Sequence, residues 1–318
     1  MNEKIQIGTV GLGLMGSSIA ACILAAGHPV TALTNNIQQK EEAVKRIGEY
    51  LLQLQEEGIL KEEPAAMLQR LYITDDYTSF SNHTIVIESI IESIDEKKKV
   101  YGQLEAVLAP DAIIGSNTSA IPVTLLQAGV QHPERMFGIH WAEPAHITRF
   151  MEVICGDKSD IALAEKVVDL AESWGKEPSL LRKDIRGFIT NRIMYAMLRE
   201  AFYLVENGYA TIDDVDRSLR NDLGYWITFA GPFRFMDLTG IPAYLSVMKD
   251  LFPELSNNTA IPSTIEKLVQ DGAKGVANAK GFYPYTEATA QQWEKLFTDF
   301  SFEIRKLAGK YPQNIGDQ

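Results

Sequence analysis

The sequence is short of thiols: only Cys22 and Cys155 occur in 318 residues, far apart and in no metal-ligand or redox spacing. That excludes a disulfide scaffold and leaves two reduced, buried thiols as the expectation, in keeping with a cytoplasmic protein without a bound metal. Long apolar runs are missing too. No stretch approaches the roughly 18 residues that a membrane helix requires, so no span is expected. The first residues lack the basic flank, apolar core and small-residue cleavage site of a secretory signal. Positive charge is scarce: 30 Lys and Arg stand against 42 Asp and Glu, a net charge of -12. General nucleic-acid binding requires clustered cations and is excluded, whereas an anionic ligand in a local basic pocket is not. Repeats and low-complexity segments are absent as well. With 46% apolar residues, the chain can build two globular domains, each with its own core.

The first half alternates strand-like and helix-like runs, the pattern of a parallel sheet with crossover helices. Strands are expected at Ile5 to Val10, Val30 to Leu33, Thr84 to Glu88, Ala112 to Ser116 and Met136 to His140, then a further pair. Helices are expected at Ser17 to Ala26, Ile37 to Glu57 and Glu62 to Leu71, the last two forming a helical hairpin, and at Ile161 to Trp174. Beyond about residue 184 strand signals almost stop. Phe188 to Val205 reads as a long helix, apolar on most faces and therefore buried. Thr211 with Asp214 resembles a helix cap, and Gly231-Pro232 and Pro242 mark further breaks. The expected architecture is α/β: a doubly wound Rossmann-type domain with a helical hairpin insertion over residues 1–184, then an all-α domain over 185–318.

The segment Gly11-Leu12-Gly13-Leu14-Met15-Gly16 follows the first strand and opens the first helix. In a dinucleotide loop the three glycines permit the turn, the approach of the pyrophosphate, and close helix–strand packing. The helix amides and dipole then face the phosphates. A Gly-rich strand–helix turn without a ligand is the bland alternative, and the position after a well-formed strand argues against it. The acidic residue that normally ends the second strand and binds the adenine ribose is missing. Thr34 stands there, followed by Asn35 and Asn36, with no arginine to hold a 2′-phosphate. NAD is therefore expected, with the choice over NADP weakened.

Five more segments, in order, resemble the 3-hydroxyacyl-CoA dehydrogenase family over nearly the whole chain. They are V-I-E-S-I-I-E-S-I-D-E-K-K-K (86–99), S-N-T-S-A (116–120), G-I-H-W-A-E-P (138–144), R-F-M-E-V-I (149–154) and G-F-I-T-N-R-I (187–193). G-P-F-R-F-M-D-L-T-G (231–240) and K-G-F-Y (280–283) are similar to that family's helical domain. The resemblance implies a catalytic pair, His140 and Glu152. An imidazole at a strand end suits proton removal from an alcohol near neutral pH, although strand ends also carry structural histidines. Glu152 sits in an apolar run, where a carboxylate must be paired, and it would orient the imidazole and stabilise the imidazolium. Ser119 and Asn191 match the family's polar substrate contacts; a turn hydroxyl and a solvated first-turn amide are the alternatives. Glu92 and Lys97 match its cofactor contacts, though such a pair also opens ordinary helices.

The resemblance implies a cytoplasmic, NAD-dependent homodimer that interconverts a 3-hydroxyacyl-CoA and a 3-ketoacyl-CoA. Lys40, Lys45, Arg46, Lys61 and Arg70 on the hairpin could form a phosphate site for CoA, or merely a salt-paired face among many glutamates. Departures concern the substrate. Trp141, Ala142 and Glu143 replace two aromatics and an asparagine after the histidine; Arg186 replaces a proline; and Ala277-Asn278-Ala279 replace Lys-Thr-Gly. A carboxylate at Glu143 could raise the pKa of His140 or repel an anionic substrate. A free 3-hydroxy acid, of the gulonate or carnitine type, is the rival substrate, and L-F-P-E-L-S-N (251–257) is similar to that wider group. The 6-phosphogluconate-like class needs a catalytic lysine that the helix after Thr190 lacks. A non-catalytic NAD-binding relative is the rival of another class.

Overall fold

Short runs of Ile and Val bounded by turns are too brief for helices, and buried on both sides they pair as a parallel sheet. The computed structural model describes residues 5–311. Its sheet has eight strands: β1 (Ile7–Val10), β2 (Val30–Leu33), β3 (Leu71–Thr74), β4 (Ile85–Glu88), β5 (Ile113–Ser116), β6 (Met136–Trp141), β7 (Phe150–Cys155) and β8 (Glu177–Leu181). They lie in the order β3-β2-β1-β4-β5-β6-β7-β8. All neighbours are parallel except β6 and β7, which are antiparallel with His140 opposite Glu152. The loop 142–149 between them holds no crossover helix, so the chain can only turn back.

Helices α1 (Leu14–Ala25), α2 (Lys40–Glu56), α3 (Pro64–Leu68), α4 (Ile94–Glu105), α5 (Val123–Gln127) and α6 (Ile161–Ser173) complete this unit, which ends at Asn191. One core, around Ile19, Ile23, Ile47, Val153 and Trp174, unites α1, α2 and α6 with the sheet. A second, around Phe80, Tyr101, Leu104 and Met136, lies against α4. Both cysteines are buried and free. On α2, Ile47, Leu51 and Leu54 recur on one buried face, as their spacing requires.

Three expectations are corrected. Leu71 opens β3, a strand that was expected to be the end of a helix: the alternating, β-branched and aromatic Leu-Tyr-Ile-Thr pairs with β2. Residues Ile37–Gln39 form a separate 3₁₀ turn before α2, because Asn36 caps it through the amide of Gln38 at 3.2 Å. The long helix expected to be buried is α7 (Thr190–Glu206), in which no residue is buried. Leu198, Ala201, Phe202 and Val205 are half-buried among residues of their own unit, whereas Ile193, Met194 and Tyr195 are exposed.

The second unit, from Arg192, contains most of α7 and then α8 (Ile212–Asn221), α9 (Leu223–Thr239), α10 (Ile241–Leu251), α11 (Ser263–Gln270) and α12 (Glu287–Ala308). Thr211 caps α8 by accepting the Asp214 amide at 3.2 Å. Gly231 breaks α9 internally at φ 65°, and Pro242 lies in the first turn of α10, where its missing N–H costs nothing. Among the described residues no helix is long and apolar enough to cross a membrane.

The burial pattern of α2 makes a direct prediction for the hairpin. Ile47→Ala should lower unfolding stability by about 2–5 kcal/mol, the usual range for an emptied core site. Leu52→Ala, at a residue 49% exposed, should change it by less than about 0.5 kcal/mol. Urea unfolding followed by circular dichroism reads both, and equal effects would reject the register of α2.

Candidate active site

The glycine loop meets the geometry of a dinucleotide cradle. Gly11 adopts φ 95°, and its amide donates to Leu33 O at 2.9 Å, joining the loop to the end of β2. A Cβ at Gly16 would lie 1.9 Å from the Gly11 carbonyl oxygen, so only glycine permits this close packing. At Gly13 a Cβ would meet nothing within 4 Å, and no side chain caps the first turn of α1. The amides of that turn therefore remain for a ligand's phosphates. Arg46, reaching in from α2, backs the loop by donating to Leu12 O at 3.2 Å. These residues fit a dinucleotide. Thr34 is nearly buried, and its hydroxyl accepts the Asn36 amide at 3.2 Å. It offers no carboxylate to a ribose.

At the ends of β4 and β5 lies a buried polar cluster that the motif reading left out. Glu88 is fully buried, with Lys97 Nζ at 2.7 Å, the Tyr101 hydroxyl at 2.7 Å, the Ser116 hydroxyl at 2.8 Å and the Ile90 amide at 2.7 Å. Burial and the adjoining Glu88 charge push the Tyr101 hydroxyl well up, so it stays a donor. The signal for Glu88 was available: a carboxylate closing Ile85-Val86-Ile87 must find partners, the same argument that singled out Glu152.

Lys97 also lies 3.4 Å from Glu92. Glu92 in turn accepts from the Thr118 hydroxyl at 2.5 Å and from the amides of Ser119 and Ala120 at 3.0 and 3.3 Å. Burial works against its charge, but the Thr118 bond, the Lys97 ammonium and the two amides outweigh it and hold the carboxyl below its ordinary range. Lys97 has no exposed surface, and its ammonium is held between Glu88 and Glu92. Glu92 remains partly exposed and fixes the loop that carries Ser119. Ser119 is itself exposed, and its carbonyl accepts from Asn191 Nδ2 at 2.9 Å. The structure thus brings Ser119 and Asn191 together.

His140 and Glu152 face each other across β6 and β7, with Nδ1 2.8 Å from Oε2. A carboxylate can only accept, so Nδ1 carries the proton and Nε2 keeps its lone pair. The other oxygen of Glu152 accepts from the amides of Ile189 and Thr190, at 3.1 and 3.0 Å, where α7 begins. Burial would raise the Glu152 pKa, but the bonds from His140, Thr190 and Ile189 and the imidazole's charge lower it. Glu152 therefore stays ionised. Phe150 and Phe188 close on the imidazole, their ring centroids at 5.3 and 5.5 Å. Phe188 takes φ 52°, a conformation that non-glycine residues rarely adopt. Glu143 is exposed and acts on Tyr50, whose hydroxyl is pushed up first by burial.

On the hairpin, Arg46 is 2.6 Å from Glu42, Arg70 is 2.8 Å from Glu62 and Lys45 is 3.9 Å from Glu49. Three of the five hairpin cations are thus matched by glutamates of the same hairpin. The arrangement as a whole can move one proton at His140 beside a dinucleotide cradle and two polar groups.

The family model described as 3-hydroxyacyl-CoA dehydrogenase, NAD binding domain, matches residues 6–185, and that of the C-terminal domain matches 187–285. A 5-formyl-3-hydroxy-2-methylpyridine 4-carboxylate 5-dehydrogenase of Mesorhizobium japonicum is 34% identical over 88% of this chain and 91% of its own. A crystal structure of an enzyme of that activity, described as an NAD+-dependent dismutase, superposes with a TM-score of 0.90 at 31% identity, covering 98% of this chain and all of the other. The (S)-3-hydroxybutyryl-CoA dehydrogenase of Ralstonia eutropha gives 0.74 at 28% identity, covering 89% of this chain and all of its own.

Three expectations follow from the site. His140→Gln should reduce turnover by roughly 100- to 10,000-fold while NADH affinity survives; normal turnover would remove His140 from the chemistry. Glu152→Gln should slow turnover as well, since the imidazolium that forms on His140 loses its stabilising anion. Unchanged turnover would make Glu152 a purely structural carboxylate. At the other end of the cradle, Thr34→Asp should tighten NAD by about 10- to 100-fold, the value of one charge-assisted hydrogen bond. Titration of NADH fluorescence measures it, and unchanged affinity would place the ribose elsewhere.

Proposed function

The chain belongs to the 3-hydroxyacyl-CoA dehydrogenase family, and from that premise we propose that it oxidises the hydroxyl of a 3-hydroxyacyl compound, and reduces the ketone in reverse, through His140 and Glu152. NAD is its cofactor, and when bound it accepts or returns the hydride. The observation that carries the reading is the Glu152 carboxylate held between the His140 imidazole and two amides. His140 Nε2 takes the hydroxyl proton as the bond to hydrogen at carbon breaks. Glu152, kept ionised, stabilises the imidazolium that results. Ser119 and the remaining N–H of Asn191 hold the substrate oxygen and steady its charge. Glu92, with Lys97 behind it, keeps the Ser119 loop in place.

The family implies a CoA thioester as substrate. A free hydroxy acid is a second reading, and two observations favour it. The hairpin spends Lys45, Arg46 and Arg70 on its own glutamates, which leaves little charge for the phosphates of CoA. The likeness to a pyridine carboxylate dehydrogenase is also the more extensive of the two structural matches described.

A second copy of the chain is the proposed partner. Among the described residues of the second unit, Val215, Ala230, Ala290 and Phe302 are the buried hydrophobic ones. So small an interior cannot repay the entropy of ordering a helical domain, and a partner would complete it.

NADH oxidation with acetoacetyl-CoA and with free 3-keto acids, repeated across ionic strength, decides the substrate. For a CoA substrate that meets hairpin cations, kcat/KM should fall with salt more steeply than for a free acid. Activity on free acids alone would establish the second reading and leave the His140 mechanism intact; activity on neither would reject both.

A further inference from the structure

The turn from β6 back to β7, residues 142–149, carries the chain from His140 to Glu152 without a helix, and its backbone groups must still find partners. Pro144 uses its carbonyl twice inside the turn, accepting the amides of Ile147 and Thr148 at 3.1 and 3.2 Å. The carbonyls of Ala145 and Thr148 are met from outside, by the ammonium of Lys176. Lys176 is 4% exposed, and its Nζ also stands 4.9 Å from the centre of the Trp141 ring. Burying an ammonium is costly unless dipoles and an aromatic face replace water, and these groups do so. The lysine's own backbone is fixed as well. Gly175 takes φ 75°, and the amides of Gly175 and Lys176 close α6 on Glu172 O and Ala171 O at 2.9 and 3.2 Å. On its other side the turn is held by His146, whose ring nitrogens lie 2.7 Å from Ser18 Oγ and 2.9 Å from Gln53 Oε1.

Both ends of this turn bear on the imidazole of His140. Trp141 follows it directly, and successive side chains of a strand point to opposite faces, so a fixed indole fixes the direction of the imidazole behind it. The indole is held by the Lys176 ammonium and by Trp174, which stacks on it at 5.6 Å and 15°. At the far end Phe150, two residues after Thr148, sets its ring edge against the imidazole, 5.3 Å between centroids.

We propose that Lys176 is a positioning residue for His140. It acts through the turn: with two carbonyls held by one ammonium, Trp141 and Phe150 keep the imidazole where Glu152 bonds one nitrogen and the other faces the substrate hydroxyl. The proposal rests on the reading of His140 as the base and adds the residue that holds it in place.

Lys176→Met keeps the length of the stem and removes the donors. NADH oxidation, with whichever of acetoacetyl-CoA and free 3-keto acids the wild type reduces, should show kcat lowered about 10- to 100-fold, the loss that a displacement of about 1 Å brings. NADH affinity, set by the glycine loop, should be unchanged. Lys176→Arg, which again offers charge and several donors to the two carbonyls, should recover most of the loss. Should Lys176→Met fail to fold, Lys176→Gln takes its place and should be slower than Lys176→Arg. A proton NMR spectrum with isotope-labelled histidines reads the site without any substrate. The low-field resonance of the His140 Nδ1–H, bonded to Glu152, should shift or broaden in Lys176→Met and return in Lys176→Arg. Ile47→Ala, which weakens the fold away from this turn, should move neither kcat nor the resonance. A folded Lys176→Met with wild-type kcat and an unmoved resonance would overturn the proposal. So would a loss of kcat that Lys176→Arg does not recover while the resonance stays in place. Normal turnover in His140→Gln would instead reject the reading of His140 itself, so the two failures are distinct.

Discussion

The site depends on one buried carboxylate. Glu152 accepts from the imidazole of His140 on one side and from the amides of Ile189 and Thr190 on the other. An ion in a buried strand is tolerated only when its lone pairs are used, and this one uses them to fix three elements at once. The antiparallel register of β6 and β7 brings the two side chains opposite each other. The start of α7 then supplies the amides that keep the carboxyl ionised. Remove the charge, and both the tautomer of His140 and the attachment of α7 lose their reason.

A second carboxylate organises the cofactor side by the same rule. Glu88 gathers Lys97, Tyr101 and Ser116 at the ends of β4 and β5, and the ammonium of Lys97 is shared with the more exposed Glu92. Charge thus passes outward in steps, from an inaccessible pair to a residue at the surface of the site. The first unit carries both ion clusters and the glycine loop at its strand ends and strand pairs. The helical unit contrasts with it, since most of its large apolar side chains are uncovered within one chain.

Much was legible in the sequence because it depends on local spacing. The glycine loop, the strands of Ile and Val, the stripe of α2 and the Thr211 cap each follow from residues within a turn or two of one another. Where spacing was ambiguous, pairing decided. Leu71 to Thr74 is as compatible with the end of a helix as with an edge strand until β2 lies beside it. The apolar α7 reads as a fully buried helix, yet its neighbours are not local: Leu198, Ala201, Phe202 and Val205 are only half-buried against Ile212, Val215 and Phe282.

The sequence by itself determined the chemistry available: a dinucleotide loop, a histidine at a strand end, and a carboxylate among apolar residues that must be paired. It also determined what was missing, an acid at Thr34. Only the tertiary structure decided who pairs with whom. His140 and Glu152 are twelve residues apart, and an antiparallel register makes them opposite. Lys97 is buried between Glu88 and Glu92, a pairing that its place in the sequence did not disclose. The hairpin cations are matched by their own glutamates because helix geometry places those partners within reach. Spacing along a chain fixes which faces a segment has, but the energy of a charge depends on what surrounds it in space.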